Sequence, residues 1–163
     1  MIRTKDDVVK LMARAYKQAL KSNDPSSQNG AVILDYQHQA HGYNHYVIEG
    51  TEKLPRPDKY DFVTHAEEHC CRAASLLLSP HTAKTMVCPW AACAGCARDI
   101  YWAGVKVLWV HSQRMELTPE RWKPEIDRAL QMMTRLGIEI HYLDTTDIPM
   151  KPILVDGELW TCN

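Results

Sequence analysis

Charge of one sign is the first thing this sequence lacks. Nineteen Lys+Arg stand against twenty Asp+Glu, a formal net charge of -1. A protein that tracks a long phosphate backbone carries a basic surplus, so no polynucleotide partner is expected, although a local basic patch can still hold one phosphate. Long apolar runs are absent as well. A bilayer-spanning helix needs about 20 consecutive apolar residues, and without one no membrane partner is expected. The opening segment MIRTKDDVVK is charged where a secretory signal would be apolar, which leads us to expect a cytoplasmic protein. Repeats, low-complexity tracts and linkers are also missing. The 163 residues therefore read as one domain, 1–163, with 148–163 as a short hairpin-like extension. Hydrophobic residues at 45% and charged residues at 24% give that domain enough apolar material for a core.

Cysteine, by contrast, is plentiful: Cys70, Cys71, Cys88, Cys93, Cys96 and Cys162. Their clustering, with no sign of export, argues against a disulfide framework and for metal binding or redox chemistry at the C-x-x-C of Cys93 and Cys96. Cys70, Cys71 and Cys88 sit at apolar positions and read as small core residues. Cys162 reads as a free thiol, and Trp90 and Trp102 as core aromatics.

Periodicity supplies the frame. Thr4 caps a helix whose apolar face is Val8, Leu11, Met12, Ala15, Ala19 and Leu20. After the turn-rich SNDPSSQNG, the runs AVILD and HQAHGYN read as a hairpin through Tyr36–His38. A polar stretch from His45 to Asp58 reads as a functional loop. HAEEHCCRAASLLL predicts a second helix, KTMVCP a buried strand, CAGCARDIYWAG a third helix closed by Gly104, and VKVLWVH another strand. Thr118 and Pro119 predict the start of a helix that runs to Gly137. IEIHYLD is a further strand, and Asp156–Gly157 joins ILV to ELW in a hairpin. Helices alternating with strands predict an α/β fold, a three-layer α-β-α sandwich around a central mixed sheet of about five strands.

Two fragments carry the chemistry: His65-Ala66-Glu67 and Cys93-Ala94-Gly95-Cys96. Each is placed where the chain enters a helix. One His and two Cys supply nitrogen and sulfur to Zn²⁺ and leave the fourth tetrahedral position free for water. Helix N-termini carry partial positive charge, which favours the thiolates a metal needs. Glu67, two residues after the histidine, can lie beside the zinc-bound water without binding the metal, and can move protons as a general acid/base. H-x-E followed by P-C-x-x-C is the known signature of zinc-dependent nucleobase deaminases, so the reading is a match to a pattern, with Ala92 in the proline's place. Two other readings stand beside it: a thioredoxin-type redox pair at Cys93 and Cys96, and a structural zinc module without activity. The second predicts loss of the glutamate, and Glu67 is present.

At these residues the chain resembles the deoxycytidylate (dCMP) deaminase family of the cytidine deaminase superfamily. Ser22–Ile33 resembles that family's first loop and strand, Gly42–Asn44 its substrate turn, and Lys59–Glu67, Cys93–Ile100 and Ala103–Lys106 its zinc helices and the strand after them. The resemblance implies a cytidine deaminase-like fold and a zinc-dependent hydrolase that converts dCMP to dUMP and ammonia. It implies one Zn²⁺ per chain on His65, Cys93 and Cys96, with Glu67 as proton shuttle. The Ala66 backbone would contact the pyrimidine, and Asn44 the sugar or base. Tyr60 or Trp122 would stand in for an aromatic that the family often has after its last zinc-core strand. For the 5′-phosphate the candidates are Asn23, Ser26 and Gln28 in the first loop and Lys53, Arg56 and Lys59 in the long loop. A homo-oligomer, dimer to hexamer, is implied too, as is Mg²⁺ with a nucleotide triphosphate effector.

Four departures are visible. Ala92 replaces the family's proline before the first cysteine, and Pro89 lies three residues earlier. Glu68–His69–Cys70 follow H-A-E where the family has a small N-A pair. The loop H-Y-V-I-E-G-T-E-K-L-P is not glycine-rich, which weakens the case for a triphosphate effector. Gln113–Met115 lacks the aromatic. A deaminase of another cytosine nucleoside or nucleotide, of guanine or of a base in nucleic acid is the alternative within enzymes.

Overall fold

The structure, a computed structural model, describes residue 2 and residues 4–162. Helix α1 (Lys5–Ala19) opens on Thr4. The Thr4 hydroxyl accepts from the Asp7 backbone N–H while the Asp7 carboxylate accepts from that of Thr4, a reciprocal cap. Val8, Leu11, Met12, Ala15 and Ala19 form its buried stripe as predicted. Leu20 does not join them: it is the C-cap, where the chain leaves the helix, and it is exposed.

Strands β1 (Gly30–Leu34) and β2 (Gln39–Tyr43) make the predicted hairpin, Gly30 opposite Tyr43 and Leu34 opposite Gln39. The stretch read as a loop is bounded by two short paired strands, β3 (His45–Tyr46) and β4 (Val63–Thr64), and contains 3₁₀ turns at Thr51–Lys53 and Asp58–Asp61. There follow α2 (Ala66–Leu77), β5 (Lys84–Val87), α3 (Ala94–Trp102), β6 (Val105–His111), the short α4 (Ser112–Glu116), α5 (Lys123–Arg135), β7 (Glu139–Leu143), β8 (Ile153–Val155) and β9 (Glu158–Trp160). Helix α5 starts later than Thr118–Pro119 predicts. The Thr118 hydroxyl is used elsewhere, accepting the Trp90 indole N–H at 2.9 Å, and the helix begins with Pro124 in its first turn.

The central sheet has the order β2-β1-β5-β6-β7. The β2-β1 and β1-β5 pairs are antiparallel; β5-β6 and β6-β7 are parallel. It is the mixed five-stranded sheet expected, covered on both faces. Alternation along β1 divides the core: Ala31 and Ile33 pack with residues of α2, α3 and α5, while Val32 and Leu34 pack with α1 and the C-terminal hairpin of β8 and β9. Parallel neighbours need crossovers, and α3 and α5 supply them on the same face as α2.

On the α1 face one polar link is fully buried. The Tyr16 hydroxyl lies 2.6 Å from Nδ1 of His111, whose Nε2 lies 2.8 Å from the Thr145 carbonyl. The carbonyl can only accept, so Nε2 carries the proton and Nδ1 accepts from Tyr16.

On the opposite face, Gly42 lies against the first turn of α2. A Cβ there would stand 2.4 Å from both the Ala66 carbonyl oxygen and the Cys70 amide nitrogen. Only glycine lets β2 approach that turn so closely.

Candidate active site

His65 and Cys93 are the N-caps of α2 and α3, and Cys96 lies in the first turn of α3. Both helix N-termini therefore meet at one spot. Nδ1 of His65 is 3.3 Å from the Cys96 sulfur and 3.5 Å from that of Cys93, and the two sulfurs are 3.4 Å apart. A tetrahedral zinc with its usual bond lengths would separate nitrogen from sulfur by about 3.6 Å and sulfur from sulfur by about 3.8 Å, so the cluster is slightly inside that size. The donor set, one imidazole nitrogen and two sulfurs, suits Zn²⁺. It forms the only group of three or more such ligand atoms among the described residues.

The Cys93 sulfur accepts from the Cys96 backbone N–H and lies against the Cys96 sulfur and His65. These contacts pull its thiol well below the usual value, while the partner Cys96 is pushed up. His65 is raised to about 9: burial works against its charged form, but the Cys93 sulfur and the Glu67 carboxylate outweigh it. Glu67, buried at the start of α2 and outside the ligand cluster, is pushed by burial up to about 7. The site thus has three metal donors, with no fourth joining them among the described residues, and an adjacent carboxyl group. The remaining cysteines, Cys70, Cys71, Cys88 and Cys162, are buried.

A cleft of about 110 Å³ opens from this cluster. His65, Ala66, Glu67 and Cys93 line one end, with Ala91 and Ala92 beneath; the Ala91–Ala92 peptide, where the family has its proline, is cis. Asn44, Tyr60, Lys59, Arg56, Ser26 and Trp122 also line it. Tyr60 and Trp122 meet edge to face, ring centres 5.2 Å apart. Lys59 is buried, and among the described residues its ammonium makes one hydrogen bond, 3.3 Å to the Ser26 hydroxyl, with the Tyr46 and Tyr60 rings just under 6 Å away. An ammonium has three donors, so two are left for a ligand.

Other candidates are placed differently. The Gln28 side chain does not face the cleft; it accepts from the Leu154 N–H and donates to the Ser22 carbonyl, holding the C-terminal hairpin. The Asn23 side chain exchanges hydrogen bonds with the backbone of Tyr46 and is likewise off the cleft. Lys53 is exposed and away from it. Asn44 lines the cleft, but its amide is already engaged: the oxygen accepts from the Asn29 N–H at 2.7 Å, and the NH₂ donates to the Ser27 carbonyl and to Asp24. Trp102 is not a core residue; it ends α3 pointing outward, 81% exposed.

Sequence reasoning missed Asn29, Trp90, Arg121 and Glu125, all of which line the cleft. Trp90 is a wall of it. Its carbonyl accepts from Asn29, its indole N–H donates to Thr118, and the buried Arg114 guanidinium stacks 4.4 Å from its ring. The side-chain oxygen of Asn29 is buried without a hydrogen-bond partner among the described residues. A polar asparagine in an apolar-strand context was the available signal for Asn29; Arg121 had none.

Residues 5–112, most of the chain, match the cytidine and deoxycytidylate deaminase zinc-binding region. The chain belongs to this deaminase family. It is accordingly a zinc-dependent hydrolase, and the His65, Cys93 and Cys96 cluster supplies the kind of metal site the family's name requires. Solved structures share its fold. The dCMP deaminase of cyanophage S-TIM5 in complex with dCMP and dUMP superposes at a TM-score of 0.64 with 20% identity, over 87% of this chain and 99% of that one. RibD of Acinetobacter baumannii gives 0.57 with 19% identity, over 85% of this chain and 35% of that one. NE0047 in complex with 2,6-diaminopurine gives 0.51 with 17% identity, over 83% and 73%. Among curated protein sequences none matches. No helix among the described residues is long and apolar enough to cross a membrane.

Proposed function

We propose that this deaminase hydrolyses dCMP to dUMP and ammonia. The observation that carries the reading is a single cleft lined by the His65, Glu67 and Cys93 cluster and by the buried, under-bonded Lys59 with Arg56 and Arg121. A base and a phosphate of one molecule need those two sets of groups in one cavity. Charge-assisted hydrogen bonds to a phosphate are about twice as strong as neutral ones, and Lys59 offers two unused donors.

His65, Cys93 and Cys96 would hold the zinc, which when bound activates a water as the nucleophile toward C4 of the ring. Glu67 would take one proton from that water and deliver it to the ring nitrogen as the C4–O bond forms. It would then move the remaining proton, from the new C4 hydroxyl, to the amine, so that the C4–N bond breaks, ammonia leaves, and the ring nitrogen keeps the first proton. Ala66 presents its backbone to the pyrimidine. Asn44, fixed by Asn29, Ser27 and Asp24, holds the first loop in shape and keeps one carbonyl lone pair for the sugar. Trp90 and Trp122 wall the cleft against water. Tyr60 and Ile126 complete those walls.

We read the enzyme as a cytoplasmic homo-oligomer of single-domain chains. The loop after Asn44, folded into paired strands and 3₁₀ turns, gives no support to an Mg²⁺-triphosphate effector. Side-by-side ultraviolet assays of cytidine, deoxycytidine, CMP, dCMP, dCTP and guanine test the substrate. The highest kcat/KM is expected for dCMP. Equal efficiency on dCMP and deoxycytidine would overturn the nucleotide reading and leave a nucleoside deaminase.

A further inference from the structure

The C-terminal hairpin lies outside the family-matched residues and takes no part in the reaction, yet it is fastened to the cleft. The Gln28 N–H donates to the Leu154 carbonyl at 2.8 Å and the Leu154 N–H to the Gln28 side chain at 3.0 Å. The Gly157 N–H donates to the Ser26 carbonyl at 2.7 Å, and that of Asp156 to the Ser27 hydroxyl at 3.0 Å. Ser26 and Ser27 themselves line the cleft. The turn that carries this clasp needs two successive left-handed residues, Asp156 at φ 50° and Gly157 at φ 93°. Aspartate tolerates that region, and glycine adopts it freely.

The clasp delivers one carboxylate to one place. Asp156 takes both terminal nitrogens of Arg121 and lies 3.8 Å from Nη2 of Arg56. Both arginines line the cleft and Asp156 does not, so the carboxylate stands behind them. The guanidiniums reach this point on separate segments, Arg56 before the 3₁₀ turn at Asp58 and Arg121 before α5. Asp156 bridges the two. Arg121 has five N–H donors; the carboxylate uses two and Tyr60 stands beside the guanidinium as a further partner, which leaves donors for a ligand.

We propose that Asp156 is a specificity-determining residue that sets the phosphate end of the cleft for a monophosphate and turns away di- and triphosphates. The proposal rests on the nucleotide reading above. One phosphoryl group can take the donors left on Arg121 and Arg56 and those of Lys59. A second, extending past the arginines, would meet the carboxylate that Arg121 and Arg56 hold there, and like charges placed together repel. Asp156 remains ionised there, because Arg121 and Arg56 hold its carboxyl below the usual range. The arginine and aspartate side chains are 41–45% exposed, so salt screens the repulsion. The expected effect is a shift in selectivity of about five- to tenfold.

The experiment measures kcat/KM for dCMP, dCTP and deoxycytidine on the full chain and on Asp156→Asn, Asp156→Ala and Asp156→Glu. The dCTP-to-dCMP ratio is the readout, because a misfolded fraction lowers both substrates alike and cancels. The ratio is expected to rise in Asp156→Asn and Asp156→Ala and to stay near wild type in Asp156→Glu, most clearly at low salt. A wild type that prefers dCMP to deoxycytidine, with a ratio unchanged in both Asn and Ala variants, overturns the selectivity role alone. A wild type indifferent to the phosphate overturns the nucleotide reading, and this role with it.

Discussion

The two ends of the cleft are built in opposite ways. The metal end comes from two short stretches, 65–67 and 93–96, and each begins a helix, so local chain geometry places the donors. The cation end draws on four separated segments: Ser26 in the first loop, Arg56 and Lys59 in the long one, Arg121 before α5, and Asp156 in the hairpin behind them. Chemistry that must not vary is written into contiguous backbone. Recognition is assembled from loops that can change one at a time, because loops tolerate substitution better than the elements they connect.

The largest expected effect lies at the metal end. Glu67→Ala should lose on the order of 10²–10⁴-fold in kcat or more while keeping its zinc, as general acid–base groups typically do. Cys96→Ala should lose the metal itself. Zinc content measured beside kcat separates them; a zinc-replete Glu67→Ala with near-normal turnover would place the proton shuttle elsewhere.

At the cation end losses should be smaller and selective. Lys59→Ala is expected to lower kcat/KM on dCMP about 10- to 100-fold, the equivalent of one or two charge-assisted hydrogen bonds. Deoxycytidine should suffer far less. Lys53→Ala, exposed and off the cleft, should stay within about twofold on both, as solvated surface charges do. Equal losses for Lys59→Ala and Lys53→Ala would erase the contrast between a buried ligand group and a surface charge.

The smallest effect on turnover should come from the other face of the sheet. Tyr16→Phe removes the donor to Nδ1 of His111 and leaves a buried acceptor unpaired, at a cost of about 1–3 kcal/mol. The melting temperature should fall with KM for dCMP unchanged. A change in KM instead would mean that the α1 face communicates with the cleft.

The same contrast explains what could be read from the residues alone. The five strands of the central sheet, the two hairpins, the long helices and the metal cluster follow from periods of two and 3.6 and from two short motifs, all local signals; the two-residue strands β3 and β4 and the short α4 are too brief to show a period. The start of α5 did not, because Thr118 gives its hydroxyl to Trp90, a residue 28 positions away. Gln28 belonged to the right loop, but a hairpin more than a hundred residues later claims its side chain. Trp90 read as core by its apolar character, and the buried Arg114 stacked on it was invisible to any pattern. Arg121 carried no signal because its role depends on where Asp156 arrives.

The close seat of Gly42 on the first turn of α2 acts as a ruler. Asn44 lies two residues along the chain from that contact, and Glu67 lies inside the turn it touches. With backbone against backbone there, the strand end and the Glu67 carboxylate cannot slide past each other. For a nucleotide bound as proposed, the span between sugar and base would be set before the substrate arrives.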